Sequence, residues 1–271
     1  MTRRDAPAAV RWTAYLAVAV VFAIACAILS NWQFTRNEER ARQIALVEAN
    51  YDRDPVPLAD VLPRGEDLAA AAEWTPVELT GEYLIDEQLL VRNRPHGGTA
   101  AFEVLVPFRL DDGRVLVVDR GWVPPGEAQP DPDVVPAPPA GAATVVVRLR
   151  PGEPLPGSGR TAEGAQVPTI HLPLVAERIG SDAVETGAYG LLVSEDPAPD
   201  TVPGRIDPPS EDPGPHLSYA VQWILFAIMG FAFILYVLVT ERRHAREDAA
   251  SRRPRRRDRD AEAEDALLDA R

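Results

Sequence analysis

Two long stretches without charge limit what this chain can become. Residues 12–29 read "WTAYLAVAVVFAIACAIL", and residues 217–239 form a second run interrupted only by Ser218 and Gln222. A helix rises about 1.5 Å per residue, so roughly 20 apolar residues match a hydrocarbon core of about 30 Å. The second run reaches that length alone, and the first does so once Ser30 and Asn31 sit at the interface. An apolar helix buried in a soluble core is shorter, about 10–14 residues. Two membrane crossings are therefore expected, over residues 12–32 and 216–239.

Arg3, Arg4 and Arg11 would also suit the basic start of a signal peptide. The apolar run is longer than such a segment needs, and Ser30, Asn31 and Trp32 do not make a small-x-small cleavage site. An uncleaved anchor is expected. Cys26 lies inside the run between "AIA" and "AIL", a poor context for lipidation, and a buried thiol needs no special role.

Basic residues near the helix ends set the orientation. The leading tail carries three arginines, and "TERRHAREDAASRRPRRRDRD" follows the second run, whereas "IDPPSEDPGP" precedes it without a basic residue. Both termini are thus expected in the cytoplasm, as residues 1–11 and a disordered tail at 240–271, with residues 33–215 outside. The acidic excess behind the net charge of −13 lies in that outer region. It lacks the basic footprint of a nucleic-acid binder, so no nucleic-acid partner is expected. The arginine-rich tail, beside a membrane helix, suits anionic lipid headgroups. One cysteine excludes an internal disulfide and any twin-cysteine motif.

Between the crossings, "RNEERARQIALVEANYD" has helical character and extends the first helix outward. Strands then dominate. "WTPVELTGEYL", "QLLVRNR", "AFEVLVPFRL", "RVLVVDRGWV", "TVVVRLR" and "AYGLLVS" are β-rich, and "DDGR" marks a hairpin turn. Phe102, Val104 and Val106 share one strand face. Two proline-dense loops, "PPGEAQPDPDVVPAPPAG" and "PGEPLPGSGRTAEGAQVP", read as exposed, and "IHLPLVAERIG" as a short helix. "DPAPDTVPGRIDPPSEDPGP" reads as an extended tether. The fold class is a membrane-anchored α+β protein: two transmembrane helices flank an extracytoplasmic, mainly antiparallel β domain, a barrel or sandwich of five to seven strands.

Standard catalytic signatures are missing. His96, His171, His216 and His244 have no zinc-site spacing, and no serine elbow, phosphate loop, dinucleotide fingerprint or flanked nucleophilic cysteine occurs. A non-enzymatic protein is expected. Arg92, Arg94 and Arg120 lie at strand ends, and each suits either a partner's carboxylate or an internal ion pair with a residue such as Asp119. An extended strand would aim residues 92 and 94 to one face. Trp122 adds an apolar plate.

The polar residues at the outer helix ends form a second constellation. His216, Tyr219, Gln222 and Trp223 recur at offsets of three and four, and "SNWQFTR" sets Trp32, Gln33 and Arg36 at the same depth. Interfacial anchoring explains the aromatic rings. A cofactor site is the other reading, because neutral imidazole ligates iron and a buried Gln222 needs a partner.

These motifs, in this order, resemble the SURF1/Shy1 family of cytochrome c oxidase assembly proteins. "NWQFTR" is similar to the family's "GxWQxxR", with Asn31 where glycine is frequent, and "HLSYAVQW" to "HxxYAxQW". "GEYL", "VRNRP" and "VLVPFRLDDGRVLVVDRGWVP" resemble the family's strand motifs, Asp119 standing where asparagine is common before "RGW". The segment around His171 matches poorly, and the tail lies outside the resemblance.

The resemblance implies a chaperone that assists insertion of haem a into a haem–copper oxidase, or stabilises its catalytic subunit, at a bacterial plasma membrane. It implies a transient haem a site, with His216 as iron ligand, Tyr219, Trp223 and Trp32 as apolar walls and Arg36 as an anion contact. Arg94, Arg120 and Trp122 would dock oxidase subunit 1, with haem a synthase a further expected partner. Two alternatives stay open: an extracytoplasmic sensor or scaffold that holds no cofactor, and a membrane-bound enzyme acting on haem or lipid.

Overall fold

A computed structural model of the chain describes residues 8–96 and 98–251. Arg3 and Arg4, and the arginines beyond Ser251 with the disorder expected of them, lie outside the described residues. The described residues form two compact units, one of residues 8–40 and 213–251 and the other within residues 41–212.

The first unit holds two helices. Helix α1 spans Ala8–Asn50, its last turns belonging to the second unit, and helix α4 spans His216–Ser251. Both are long and apolar enough to cross a membrane. Each continues past the expected span, because "FTRNEERARQIALVEAN" and "ERRHAREDAAS" contain no glycine or proline. The residues expected to begin a disordered tail at 240 are therefore helical as far as Ser251, with His244 and Glu247 paired one turn apart.

Small side chains bring the helices together. Ala19, Cys26, Ser30 and Ala220 are buried, and Ser30 Oγ donates to the Ala220 carbonyl at 3.0 Å. Gly230 faces the Phe22 ring so closely that a Cβ would lie 3.0 Å from it. Association within lipid relies on such packing and on interhelical hydrogen bonds.

Polar contacts pin both ends of the pair. At one end Trp12 Nε1 donates to Glu241 at 2.9 Å, Arg11 approaches the same carboxylate at 3.3 Å, and Arg242 lies over the Trp12 ring. At the other, His216 Nδ1 lies 2.9 Å from Gln33 Oε1. From Trp12 to Gln33 the helix rises about 32 Å, and from His216 to Glu241 about 38 Å. Both lengths exceed a hydrocarbon core of about 30 Å.

The second unit is a β-barrel with one helix on its flank. Its strands are β1 (Val56–Pro57), β2 (Pro76–Tyr83), β3 (Leu89–His96), β4 (Thr99–Leu110), β5 (Val115–Val123), β6 (Ala142–Arg150), β7 (Gln166–Val167) and β8 (Tyr189–Asp196). Helices α2 (Leu58–Val61) and α3 (Leu172–Ile179) complete it. The order is β1-β2-β6-β8-β5-β4-β3-β7, and an additional pairing of β2 with β4 closes five strands on themselves. Strand β4 makes this possible by sharing one edge: residues 99–105 pair with β3, and residues 108–110 with β2. Most ladders are antiparallel, and β5–β8, β1–β2 and β3–β7 are parallel.

Alternation builds two cores. Phe102, Val104, Val106 and Phe108 of β4 enter the barrel with Leu116 and Val118 of β5 and Val145 and Val147 of β6. The opposite face, with Leu105, Val115 and Val117, packs on Val91 and on Leu172 and Val175 of α3. The "DDGR" turn forms as expected, Gly113 taking φ +84° and Asp112 accepting from the Arg114 amide at 2.9 Å.

Two loops pack more than their composition suggests. Pro138 and Pro139 of the first proline-dense loop are buried, and Val135 packs against the barrel core. Residues 198–206 of the expected tether instead form a strap, whose Gly204 exchanges two 2.8 Å backbone hydrogen bonds with Trp122. They cover the seam where β5 and β8 diverge beyond Asp119 and Leu191, and a cavity of about 230 Å³ remains there.

Candidate functional site at the helix ends and on the barrel flank

The first turn of α4 carries His216 half-buried, its ring edge 3.6–3.7 Å from where a Cβ on Gly214 would stand. Gln33 Oε1 has only lone pairs to offer, so the 2.9 Å contact requires the proton on His216 Nδ1. In the neutral ring the lone pair is then on Nε2, the form in which imidazole ligates a metal.

Of the expected wall residues, Trp32 and Tyr219 are 50% and 47% exposed, and Trp223 is half-buried with its ring edge-on to Phe226. Arg36 lies 5.9 Å over the Trp32 ring and pairs with Glu39 at 2.8 Å. The structure therefore joins His216 directly to Gln33, and keeps Trp32 and Arg36 together on α1. Gln33 was legible as part of the "NWQFTR" motif, but only the fold sets it against the histidine.

A second polar group lies on the barrel flank. Beside the outer core, the β3 and β4 strands bring Arg94 between two carboxylates: Nε is 2.6 Å from Glu103, and an Nη is 2.7 Å from Glu153. Burial opposes the Arg94 charge, but the facing Glu103 and Glu153 outweigh it and hold its pKa above the ordinary value. Burial likewise opposes charge on Glu153, yet hydrogen bonds from Arg94 and Thr169 hold its pKa below normal. His96 lies 3.4 Å from Glu103 and stacks on Trp122 with ring centroids 5.2 Å apart. Trp122 also donates from Nε1 to the Arg205 carbonyl at 3.2 Å.

Three expectations change here. Strand β3 contains a bulge between Val91 and Arg94, with Asn93 at φ +62°. One extra residue breaks strict alternation, so Arg92 turns to Thr161 and Glu163 while Arg94 turns to Glu103 and Glu153. Arg120, expected either at a docking surface or in an internal ion pair, takes the second place, with a side chain 0% exposed. It pairs with Glu195 at 2.7 Å and donates to the Pro136 carbonyl at 2.7 Å. Arg94 is also mostly enclosed, at 20% exposure, and committed to its two partners. Of the three expected docking residues, Trp122 alone is uncharged, half-buried with its ring stacked on His96. The signal for the missed partner Glu103 was present: an acid in a strand apolar on both faces must be buried and paired.

Asp119 is almost completely buried beside this group, and its Oδ1 accepts from the Gly121 amide at 3.0 Å. Burial, reinforced by the nearby Glu103 charge, raises its pKa well above the carboxylate range. A protonated carboxyl offers one donor and one acceptor, the pattern of the asparagine common before "RGW" in the resembling family. The folded protein then holds a proton that the unfolded chain releases above its ordinary Asp value. That stability is full below the unfolded value and is lost as pH rises through the raised folded one. Asp119→Asn is expected to flatten this loss and raise the melting temperature more at pH 8 than at pH 5. Equal pH slopes for the two proteins would show that Asp119 is ionised in the fold.

A sequence model of the SURF1 family matches residues 20–228. The chain belongs to the SURF1 family. An uncharacterised SURF1-like protein of Mycobacterium tuberculosis is 36% identical over 250 residues, covering 90% of this chain and 89% of its own length. The cytochrome oxidase assembly protein SHY1 of Saccharomyces cerevisiae is 30% identical over 104 residues, 38% of this chain and 26% of its own. A SURF1-like protein of Monosiga brevicollis is 33% identical over 116 residues, 38% of this chain. The family match spans both helix-end motifs, Trp32–Gln33–Arg36 and His216–Trp223, and the whole barrel between them. The family includes a relative named for assembly rather than for catalysis.

Proposed function

We propose that this protein is a non-enzymatic assembly factor for a haem–copper cytochrome c oxidase, anchored in a bacterial plasma membrane with both termini in the cytoplasm. Family membership supports the oxidase role, since a relative carries that name. The pairing of His216 with Gln33 carries the finer reading, in which the outer ends of α1 and α4 hold haem a during its delivery to, or stabilisation of, the catalytic subunit.

The donor set fits such a group. One imidazole nitrogen with a fixed lone pair is a sufficient protein ligand for haem iron, and Trp32, Tyr219 and Trp223 supply apolar surface at the depth where a flat macrocycle partitions. Arg36 would meet a haem carboxylate or a lipid headgroup. Bound haem would supply the redox-active iron, and the protein's own contribution would be to orient it and shield it from water. Arg242, Arg243 and Arg246 would bind anionic lipid on the cytoplasmic side. Oxidase subunit 1 would meet Trp122, and haem a synthase would be the donor.

His216→Ala is expected to bring haem that copurifies from cells making haem a close to background, while α1 and α4 still insert. Pigment analysis of the purified protein measures the first, and carbonate-resistant membrane retention the second. Equal haem content in variant and parent would overturn the ligand assignment. Crosslinking from the Trp122 surface should recover subunit 1, and recovery of no oxidase subunit would remove the assembly role from that face.

A further inference from the structure

We infer that Gln33 is the positioning residue for His216: it fixes the imidazole in one tautomer and one orientation, so that Nε2 presents its lone pair away from α1. The haem-binding part of this inference rests on the proposed function, and the tautomer part stands without it.

The geometry carries the argument. His216 Nδ1 and Gln33 Oε1 are 2.9 Å apart, in a partly buried contact between the two helices. A carboxamide oxygen accepts and never donates, so the neutral ring in this contact carries its proton on Nδ1. An imidazole free in solution exchanges tautomers and turns about its side-chain bonds. Here the helix pair removes both freedoms, because α1 and α4 are held near the same end by Ser30 and the Ala220 carbonyl. Gln33 in turn has a reason to lie on this face of α1. A primary amide at the edge of a hydrocarbon core is costly unless it is hydrogen-bonded, and His216 is its partner in the structure.

The consequence for metal chemistry is general. A hydrogen bond to the far nitrogen of a ligating histidine orients the ring and raises its basicity, and loss of such a partner typically costs about 10–100-fold in metal affinity. Gln33 touches neither iron nor macrocycle in this role, and it acts through the histidine.

The test uses the full chain in lipid nanodiscs with haemin as the probe, and reads the tautomer by ¹⁵N NMR. The chain contains four histidines, so subtraction of His216→Ala assigns the signal. The parent should show a protonated Nδ1 and a bare Nε2 at His216 at pH 8. Gln33→Ala should shift that signal toward the Nε2-protonated tautomer and weaken haemin binding by about 10-fold or more. Gln33→Glu, a stronger acceptor, should restore both the tautomer and the affinity, and lower the reduction potential of the bound haem.

An unchanged tautomer and unchanged haemin affinity in Gln33→Ala would overturn the inference. Should Gln33→Ala fail to insert, Gln33→Glu decides, since an Nε2-protonated signal there would equally overturn it. A parent protein that shows the expected tautomer yet binds no haemin would support the positioning role and refute the haem reading, so the two failures are distinguishable.

Discussion

Arg120→Ala is expected to destabilise the β-barrel by about 3–5 kcal/mol, the range for removing one partner of a buried ion pair. The Arg120 and Glu195 side chains are 0% and 4% exposed. The guanidinium spans the interior from Glu195 on β8 to the Pro136 carbonyl in the proline-dense loop, 2.7 Å from each. Tyr83 donates its hydroxyl to the same carboxylate at 2.9 Å, and its ring meets Phe108 edge-on. Burial and the Glu195 charge raise the Tyr83 pKa, so the phenol stays a neutral donor. Alanine would leave a carboxylate enclosed with one phenol for company.

Lysine should be little better, because its ammonium cannot reach the carboxylate and the loop carbonyl with a planar fork. The triple change Arg120→Met, Glu195→Leu and Tyr83→Phe removes every charge and polar tip together and should recover most of the loss. Chemical denaturation of the full chain, followed by hydrogen exchange at β8, measures these differences. The docking role that the sequence left open for Arg120 predicts something else: normal stability with lost partner recovery. An Arg120→Ala barrel as stable as the parent would remove the structural role argued here.

Much of this organisation was legible in the residues, for reasons that can be named. The two helices follow from length and hydropathy alone. The β4–β5 hairpin follows from alternation on either side of "DDGR". The inward aim of Arg120 was also available, since it continues the parity of Leu116 and Val118 into the barrel. Its place beside Gly121 and Trp122 at a strand end left both a partner's carboxylate and an internal ion pair open, and the structure supplies Glu195 where Asp119 was the expected partner.

Other features needed three dimensions. Barrel closure depends on β4 pairing with two strands along one edge, and no local pattern marks a shared edge. The strap over the β5–β8 seam reads as a proline-rich tether because its backbone bonds to Trp122 leave no trace in composition. At the helix ends, the sequence placed Gln33 and His216 at one depth, and helix rotation decided that they touch.

Gly81→Ala is expected to be the most damaging small substitution in the barrel, costing more than about 4 kcal/mol and depleting folded protein. The cause is proximity rather than conformation. A Cβ on Gly81 would stand 2.0 Å from the Arg109 carbonyl oxygen and 2.9 Å from the Leu110 Cα, both backbone atoms. Retreat is blocked, since Gly81 pairs with Leu110 on β4 and with Ala143 on β6. A single methyl group therefore has to part β2 from β4, the ladder that closes the barrel.

The expected signature is local before it is global. The Asp111 amide donates to the Thr80 carbonyl at 3.1 Å, and the Leu84 amide to the Pro107 carbonyl at 2.8 Å, both across that ladder. Their hydrogen-exchange protection should fall first in any folded remnant, while the β6–β8 ladder stays protected. Gly157, where a Cβ meets nothing within 4 Å, provides the control, and its alanine variant should stay within about 0.5 kcal/mol of the parent. A Gly81→Ala protein with parental stability and full protection at Asp111 and Leu84 would mean that β2 and β4 do not close the barrel through this contact.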